Sequence, residues 1–477
     1  MAEHFRDYLD PSVDPFSEVL RCGGVRDTII AKGGGMLLSA MGVERERIIG
    51  EDGRESEQWR IPYGNGCEAV MDVWEPKTVT TALTRHHDLG LFYGYTGDKH
   101  GSRWRPNAAT TLPEGVATGH READGLIAVV MALSERSRQL RRVGRTAAQV
   151  TAPFRDWRAR REWTESTERT KGEIAEHYDT DQRIFVGYRD NNGNEFEGML
   201  DPRLTQYSSG LFLPEHAGTT GDALLQELQE AKVDALIEKL GLKPGMRILE
   251  VGGGWGGLAI AIAKRNPDVK IVSLTVSDEQ LKIAQERAQA EGLTGQVQFV
   301  GEDYRDHTSE EPYDRVISVE MIEAVDWRDY GTYFGELDRF VKPDGRVVLQ
   351  AITVRKEQEA SQHNRRSFAN TAIFPGGCLP SVATIDQHMT ERGFARLAME
   401  PSELGASYAL TIQQWLRRFN DNLPQLRSLW EQEGRTSEQI DRFTRGFNFY
   451  LAACIAGFRP ETGPNISAQQ LVFERAA

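Results

Sequence analysis

The second half of the chain predicts an α/β fold that is organised around a mainly parallel sheet. Short, nearly continuous apolar segments alternate with helical segments from about residue 235 onward. Strands covered by helices on both faces have this composition, because neither face of a parallel sheet meets water. A glycine-rich loop lies between the first of these strands and the helix that follows it. A mostly helical C-terminal part and a last strand complete the pattern.

Each element is predicted from its local pattern. The segment 269–276 is rich in β-branched and apolar residues, which favours a strand. Residues 279–290 read as a helix, and Asp278 is its predicted N-terminal cap, since a carboxylate can accept from the first free amides. The predicted strands are 247–251, 269–276, 297–300, 315–319, 346–352 and 469–474. The predicted helices are 258–264, 279–290, 330–340 and most of 406–458.

The composition is that of an ordinary globular protein. The 477 residues suggest two or three domains at a prior of ~150 residues each. A net charge of −14, from 57 basic and 71 acidic residues, argues against a nucleic-acid surface. No apolar run reaches the ~20 residues of a membrane span, and the first residues lack a secretory pattern. With four widely separated cysteines, these features predict a cytoplasmic protein with reduced thiols and no metal site.

Residues 1–133 are predicted to form a separate N-terminal domain of unknown role. Glycines interrupt its short apolar segments, and no topology follows from them. The glycines at 33–35 lack a preceding strand and a following Lys-Ser/Thr pair, so a turn is preferred to a phosphate site. His86, His87 and Asp88 are adjacent, and adjacent side chains on a strand point to opposite faces. A solvated loop is therefore preferred to a metal site.

The segment 134–171 differs from the rest of the chain in its charge. After Glu135 it holds eleven basic and four acidic residues, so 11 − 4 = +7, with Trp157 and Trp163 among them. One interpretation is a surface that meets anionic lipid headgroups at the inner face of a membrane or another acidic partner. The other is a solvated helical linker, assigned here to residues 134–175, that balances an acidic neighbour. The sequence leaves both interpretations open.

The strongest single motif is the loop EVGGGWGG, which begins at Glu250. Its Gly252, Gly254 and Gly257 form a GxGxxG pattern, which is also found in dinucleotide-binding proteins. Two features favour S-adenosylmethionine instead. Glu250 can meet a cationic sulfonium and amino group, and the second strand runs into SLTVS without the acidic residue of an NAD site. A glycine turn without a ligand is the third interpretation.

Residues from about 172 to 475 resemble the cyclopropane fatty acid synthase family, which includes mycolic acid cyclopropane synthases and fatty acid C-methyltransferases. The stretch at 373–381 is highly specific, and the matches are ordered along some 300 residues, whereas residues 1–171 are not covered. The matching segments are HYD at 177–179, LDP at 200–202, YS at 207–208, EAK at 230–232, LKPGMR at 242–247, LTVS at 274–277, DYRD at 303–306, SVEMIEAV at 318–325, LQAIT at 349–353, IFPGGCLPS at 373–381 and GFR at 457–459.

The resemblance implies a class I methyltransferase (Rossmann-like) domain over residues 176–477, with S-adenosylmethionine as the methyl donor. It also implies the roles of individual side chains. Asp303 would bind the adenine amino group, and the ribose would lie against Thr275 and Gln280. The methionine part would lie beside Tyr207, Ser208, Gly252 and Gly254.

In this family the acceptor is the carbon of an isolated double bond, and a bound bicarbonate removes a proton after methyl transfer. The positions implied to hold bicarbonate are Ser209, Glu323, Gln350, Ile352 and Tyr408. Two of them depart from the family pattern, because Ser209 stands for a cysteine and Gln350 for a histidine. Each of the four side chains other than Ile352 also has a purely structural interpretation, as an ion-pair partner, a core tyrosine, a turn residue or a backbone-bonded amide.

Three functions therefore remain open from the sequence. The leading interpretation is a C-methyltransferase that acts on a double bond of an unsaturated acyl chain. The second is a C-methyltransferase with a soluble small-molecule acceptor, which the long N-terminal region and the altered base site favour. The third is a non-catalytic protein that binds S-adenosylmethionine or lipid. The sequence does not choose between a monomer and a homodimer.

Overall fold

The structure, a computed structural model, describes most of the chain. The described residues are 42–49, 55–64, 66–74, 104–113, 115–143, 181–189, 195–362, 378–459 and 466–476, with the single positions 39, 79 and 95. They form two compact units. Three sequence predictions, on residues 33–35, 86–88 and 144–175, lie outside the described residues.

Strands and helices are numbered separately along the chain. The strands are β1 Glu44–Ile49, β2 Glu55–Tyr63, β3 Cys67–Val73, β4 Trp104–Pro106, β5 Tyr188–Arg189, β6 Glu195–Phe196, β7 Arg247–Val251, β8 Lys270–Thr275, β9 Val297–Gly301, β10 Tyr313–Val319, β11 Val341–Val354, β12 Phe394–Leu397 and β13 Ile466–Arg475. The helices are α1 Arg121–Val143, α2 Gln182–Val186, α3 Gly221–Leu240, α4 Gly257–Arg265, α5 Asp278–Ala290, α6 Tyr330–Phe340, α7 Lys356–Gln362, α8 Val382–Thr390, α9 Gly405–Gln432 and α10 Ser437–Phe458.

The second unit holds a seven-stranded sheet in the order β12-β13-β11-β10-β7-β8-β9. The pairs among β11, β10, β7, β8 and β9 are parallel, while β13 runs antiparallel to both of its neighbours. Chain order reverses beside β7, and the crevice at such a switch point is where ligands bind open α/β sheets. The predicted fold class, a mainly parallel sheet with helices, is confirmed.

Alternate residues of the central strands feed two hydrophobic clusters on opposite faces of this sheet. Leu249 and Val251 belong to one cluster, together with the aromatic face of α6. Ile248 belongs to the other, with α4 and part of α3. Because both faces are covered, the central strands read as continuous apolar runs in the sequence. One local prediction is wrong: α5 begins at Asp278, and the Ser277 hydroxyl caps it by accepting from the Gln280 amide.

The first unit contains a four-stranded antiparallel sheet in the order β1-β2-β3-β4. Helix α1 packs against β2 and β3 and also against α10. Trp59 and Trp104 are fully buried within this unit. Residues 419–458, which form the end of α9 and all of α10, belong to this compact unit, although the sequence assigned them to the domain 176–477. Residues 134–143 continue α1, and the division at 133 and 175 stays a prediction.

Candidate active site

The glycine loop joins β7 to α4 at the carboxyl edge of the sheet. Glu250 lies in the buried end of β7, where the Ser273 hydroxyl donates to its Oε2 at 2.6 Å. Burial raises the pKa of Glu250 to about 7, against the lowering effect of this hydrogen bond and of the Lys232 charge. The amides of Gly252 and Gly253 donate to the Leu274 carbonyl at 3.0 and 2.7 Å, which holds the loop against β8.

Close packing requires glycine at two positions of this loop, and a third glycine faces open space. A Cβ at Gly253 would lie 1.8 Å from Ser273 Oγ, and a Cβ at Gly257 would lie 1.6 Å from the Leu204 carbonyl oxygen. Gly254 has a φ of +52°, and a Cβ there would meet no atom within 4 Å. The loop therefore presents backbone to an open space on the side where a ligand would approach.

The two residues expected at the ribose are brought together by the structure. Thr275 ends β8, and Gln280 lies in the first turn of α5. The Thr275 hydroxyl donates to Gln280 Oε1 at 3.0 Å, and both residues are buried. A paired hydroxyl and amide of this kind can exchange hydrogen bonds with vicinal hydroxyls.

Asp303 follows β9 on the same edge of the sheet. Both of its carboxylate oxygens accept from Arg305, at 2.8 Å from Nε and 2.5 Å from Nη2. A carboxylate has about four lone-pair sites, so a further donor, such as an exocyclic amine, can still be accepted. The structure thus gives Asp303 a fixed orientation rather than a free one.

Tyr207 and Ser208 precede helix α3 and lie near a buried lysine. The ammonium of Lys232 donates to Ser208 Oγ at 2.9 Å and also to Gln206 Oε1. Burial lowers the pKa of Lys232 to about 7, although Glu320 and Glu250 favour its charged form. The Tyr207 ring packs against Trp415 at a centroid distance of 5.0 Å, and Trp415 contacts Tyr408 at 6.0 Å.

Glu320, directly after β10, is the centre of a polar cluster. Its Oε1 accepts from the Ser209 amide and from Gln350 Nε2, both at 2.8 Å, and its Oε2 accepts from the Tyr408 hydroxyl at 2.5 Å. Ser209, Gln350 and Tyr408 are buried, while Glu320 is partly exposed. Three distant segments of the chain therefore converge on one carboxylate.

The backbone of Glu320 is strained. Its φ is +50°, a region that costs a residue with a Cβ about 1–3 kcal/mol unless the surroundings enforce it. Its amide donates to the Gln350 carbonyl at 2.7 Å, which ties this conformation to β11. Burial raises the pKa of Glu320, against the lowering effects of its three hydrogen bonds and of Lys232.

Glu323 is a second buried carboxylate, in the short turn Ile322–Ala324. Its Oε1 accepts from the Ile352 amide, and its Oε2 is buried with no hydrogen-bond partner. Burial and the negative charge of Glu320 raise the pKa of Glu323 to about 8. Near neutral pH this carboxyl is therefore mainly protonated.

The structure brings Ser209, Gln350 and Tyr408 together, as expected from the sequence. They surround Glu320, for which no role was expected. The signal was present, since a glutamate that directly follows a strand of a parallel sheet lies at the ligand-binding edge. The roles assigned to the individual residues stay predictions.

The comparisons with known proteins agree with this architecture. A family model described as mycolic acid cyclopropane synthetase matches residues 165–466. The cyclopropane-fatty-acyl-phospholipid synthase of Escherichia coli (strain K12) is 39% identical over 285 residues, which cover 59% of this chain and 65% of that protein. Cyclopropane mycolic acid synthase 1 of Mycobacterium tuberculosis is 31% identical over 275 residues, covering 55% of this chain and 88% of that protein.

Further similarities extend the comparison. The tuberculostearic acid methyltransferase of Mycobacterium tuberculosis is 33% identical over 295 residues, covering 62% of this chain and 63% of that protein. The solved structure of mycolic acid cyclopropane synthase CmaA1 complexed with SAH and CTAB has a TM-score of 0.50 and 27% identity, covering 64% of this chain and 98% of that chain. The chain spans less than two thirds of the length of the Escherichia coli relative and of the tuberculostearic acid methyltransferase.

Proposed function

The chain belongs to the mycolic acid cyclopropane synthetase family, and we propose that it transfers a methyl or methylene group from S-adenosylmethionine to a double bond of an unsaturated acyl chain. One observation carries the proposal. The Glu320 cluster, Glu250, the Thr275–Gln280 pair and Asp303 lie at the carboxyl ends of β10, β7, β8 and β9, which are neighbours in that order in the sheet. A donor site and a proton-accepting site are thus adjacent parts of one edge.

The residues of this edge fit S-adenosylmethionine. Gly254 borders open space, and the polar groups that follow along the edge suit an amino acid, a ribose and an adenine in turn. We assign Tyr207, Ser208, Gly252 and Gly254 to the methionine part, Thr275 and Gln280 to the ribose, and Asp303 to the adenine amine. When bound, S-adenosylmethionine supplies a methyl group on a positively charged sulfur.

The chain's own residues must then protect a carbocation, because an alkene that gains a methyl group is left electron-deficient. The rings of Tyr207, Tyr408 and Trp415 form an aromatic cluster beside Glu320, and aromatic faces stabilise cations. When ionised, Glu320 adds a fixed anion beside these rings. Both features support an alkene acceptor rather than an acceptor with an acidic proton.

Bicarbonate does not fit this site as the chain stands. The donor groups expected to hold it already have acceptors: Tyr408 and Gln350 donate to Glu320, and the Ser209 hydroxyl donates to the Gly210 carbonyl at 2.8 Å. The Ile352 amide donates to Glu323. An added anion would also face the Glu320 carboxylate. We therefore assign no step to bicarbonate.

A soluble small-molecule acceptor is the second candidate. The observation in its favour is that β1–β4 and α1 lie outside the residues matched by the family model. Such an added unit can serve as a specificity element for another acceptor. A bound acyl chain and a soluble isoprenoid or polyketide share the double bond that the site would act on.

Membrane contact is part of the acyl-lipid proposal. No helix within the described ranges is long and apolar enough to cross a membrane. The basic residues of 134–171 supply a charge that favours anionic headgroups. Co-sedimentation with anionic vesicles at rising salt tests this, and binding that is salt-independent contradicts an electrostatic contact.

The function itself is tested with the purified full chain, methyl-labelled S-adenosylmethionine and vesicles of unsaturated phospholipid. Mass spectrometry should find labelled acyl chains heavier by one methylene, and fragmentation distinguishes a ring from a branch. Vesicles of saturated phospholipid are the control and should gain no label. Cofactor binding with labelled soluble alkenes but unlabelled lipid would favour the second candidate, and binding without any transfer would favour a non-catalytic protein.

A further inference from the structure

We propose that Glu320 is the built-in base of this site, and that its carboxylate removes the proton which the acceptor must lose after methyl transfer. This inference rests on the proposed function. It replaces an external anion with a side chain of the protein, and it names a catalytic residue.

The hydrogen bonds of Glu320 suit a carboxylate anion. Its two oxygens accept from the Ser209 amide, the Gln350 amide group and the Tyr408 hydroxyl. All three partners are donors, so the arrangement is built for an anion at this position. Glu320 as a residue is partly exposed and directly follows β10, at the edge of the sheet where a ligand would bind.

These donors have no capacity for another anion. Gln350 Nε2 uses its two hydrogens on Glu320 and on the Ser209 carbonyl, at 2.8 and 3.2 Å, while its Oε1 accepts from Gln470 at 2.9 Å. The Tyr408 hydroxyl has a single proton, which goes to Glu320. A separate bicarbonate would have to displace the carboxylate to be held here.

The groups around Glu320 affect the pKa of its carboxyl. Lys232 on α3 favours the ionised form of Glu320, and so does the hydrogen bond that Tyr408 on α9 donates to it. The negative charge of Glu320 in turn raises the pKa of Glu323. Burial raises the pKa of Glu320 above that of an ordinary glutamate. Once ionised, a carboxylate with a raised pKa is a stronger base than an exposed one.

The backbone conformation of Glu320 is also unusual for a residue with a side chain. Glycine is the natural residue at a φ of +50°, and Glu320 occupies that conformation with a side chain. Strain of this kind persists where the surrounding structure enforces it, and it is concentrated at functional sites. A side chain that served only to fill space would not need a position that favours glycine.

Proton transfer to Glu320 conserves atoms and electron pairs. A lone pair of the Glu320 carboxylate forms an O–H bond with a hydrogen of the carbocation, and the C–H bond breaks. The C–H electron pair forms a C–C bond that closes a three-membered ring, or a double bond if the hydrogen comes from a neighbouring carbon. The cation and the carboxylate become a neutral product and a neutral carboxylic acid. Water then takes the proton before the next turnover.

The first test measures anion binding without any turnover. Carbon-13 NMR of labelled bicarbonate is recorded with the wild-type chain and with Glu320→Gly, a variant that suits the positive φ. We expect no bicarbonate binding by the wild-type chain and binding by Glu320→Gly, whose donors are released. Saturable bicarbonate binding by the wild-type chain that Tyr408→Phe removes would overturn the proposal.

The second test measures chemistry with Glu320→Gln, which keeps the size of the side chain and removes its charge. Product formation should fall by about 100-fold to 10,000-fold, the usual range for a general base, while S-adenosylmethionine binding by calorimetry stays unchanged. Glu310→Gln, on the exposed surface, is the matched control and should keep full activity. In Glu320→Gly, formate or bicarbonate should restore part of the activity in proportion to its concentration.

The outcomes separate this inference from the proposed function. If the wild-type chain modifies no acceptor, the proposed function fails, and the absence of a reaction removes the role of Glu320 with it. If the wild-type chain is active and Glu320→Gln is equally active, the function stands and the inference fails. Wild-type activity that requires added bicarbonate in carbon-dioxide-depleted buffer also contradicts the inference.

Discussion

The hydroxyl of Ser273 donates a 2.6 Å hydrogen bond to Glu250, and this pair fixes the carboxylate beneath the glycine loop. Ser273 is fully buried and Glu250 nearly so. The same hydroxyl oxygen would lie 1.8 Å from a Cβ at Gly253. The side chain that holds the carboxylate and the loop that covers it therefore depend on each other.

Replacement of Ser273 by alanine should destabilise the protein in a pH-dependent way. Without its donor, Glu250 is left as a buried carboxylate, and the free energy of unfolding should fall by about 1–3 kcal/mol at pH 8. The bond favours the ionised form, and burial raises the pKa of Glu250 to about 7, so the loss should be smaller at pH 5. Denaturant unfolding measures it, with the exposed Ser437→Ala as the control. An equal loss at both pH values would contradict the assignment of the bond to the ionised carboxylate.

The open space beside Gly254 gives a test of cofactor binding that has a matched control. Gly254→Ala adds a Cβ to a residue with a φ of +52°, and Gly292→Ala adds one to a turn residue with a φ of +70°, each with no atom within 4 Å. Both changes carry a similar backbone cost of about 1 kcal/mol. Only Gly254→Ala should weaken S-adenosylmethionine binding, by about tenfold or more by calorimetry. Equal affinities of the two variants would place the cofactor elsewhere.

The strands and helices of the second unit could be predicted because both faces of its sheet are buried. A strand such as β7 (RILEV) or β8 (KIVSLT) then carries apolar residues on both faces, which identifies it without tertiary information. The N-terminal sheet could not be predicted in this way. Strand β1 is exposed at nearly every position and reads ERERII, so no apolar run marks it.

Only those parts of the site whose residues lie close together in the sequence could be predicted from local motifs. Thr275 and Gln280 are five residues apart, and a strand followed by a helix brings them together. Glu320 and Tyr408 are 88 positions apart, and no local pattern connects a residue after β10 to one on α9. The proposal that Glu320 takes the place of a bound anion depends on its contacts with these donors, and only the structure shows those contacts.

Glu323 should make stability fall as pH rises. Its folded-state pKa is raised to about 8 from an ordinary value of 4.5 by burial and by the charge of Glu320. Between these two values the folded state binds more protons than the unfolded state, so its stability decreases with rising pH. In Glu323→Gln this contribution should disappear, and the difference from wild type should grow by at most about 1.4 kcal/mol per pH unit between pH 5 and 8. Denaturant unfolding over this range measures it, and parallel pH curves for the two proteins would contradict the raised pKa.

Removal of the Tyr408 hydroxyl should move the pH dependence of product formation. The hydroxyl donates to Glu320 Oε2 at 2.5 Å, and this bond lowers the pKa of that carboxyl. A hydrogen bond to a charged group contributes about 1.5–3 kcal/mol, so Tyr408→Phe should raise the pKa of Glu320 further. Because the base must be ionised to accept a proton, the acid limb of the profile of rate against pH should shift to higher pH. Tyr63→Phe removes a hydroxyl that donates to the Thr111 carbonyl in the first unit at 2.8 Å and serves as the control. If both variants keep the wild-type acid limb, the group that titrates there is not Glu320.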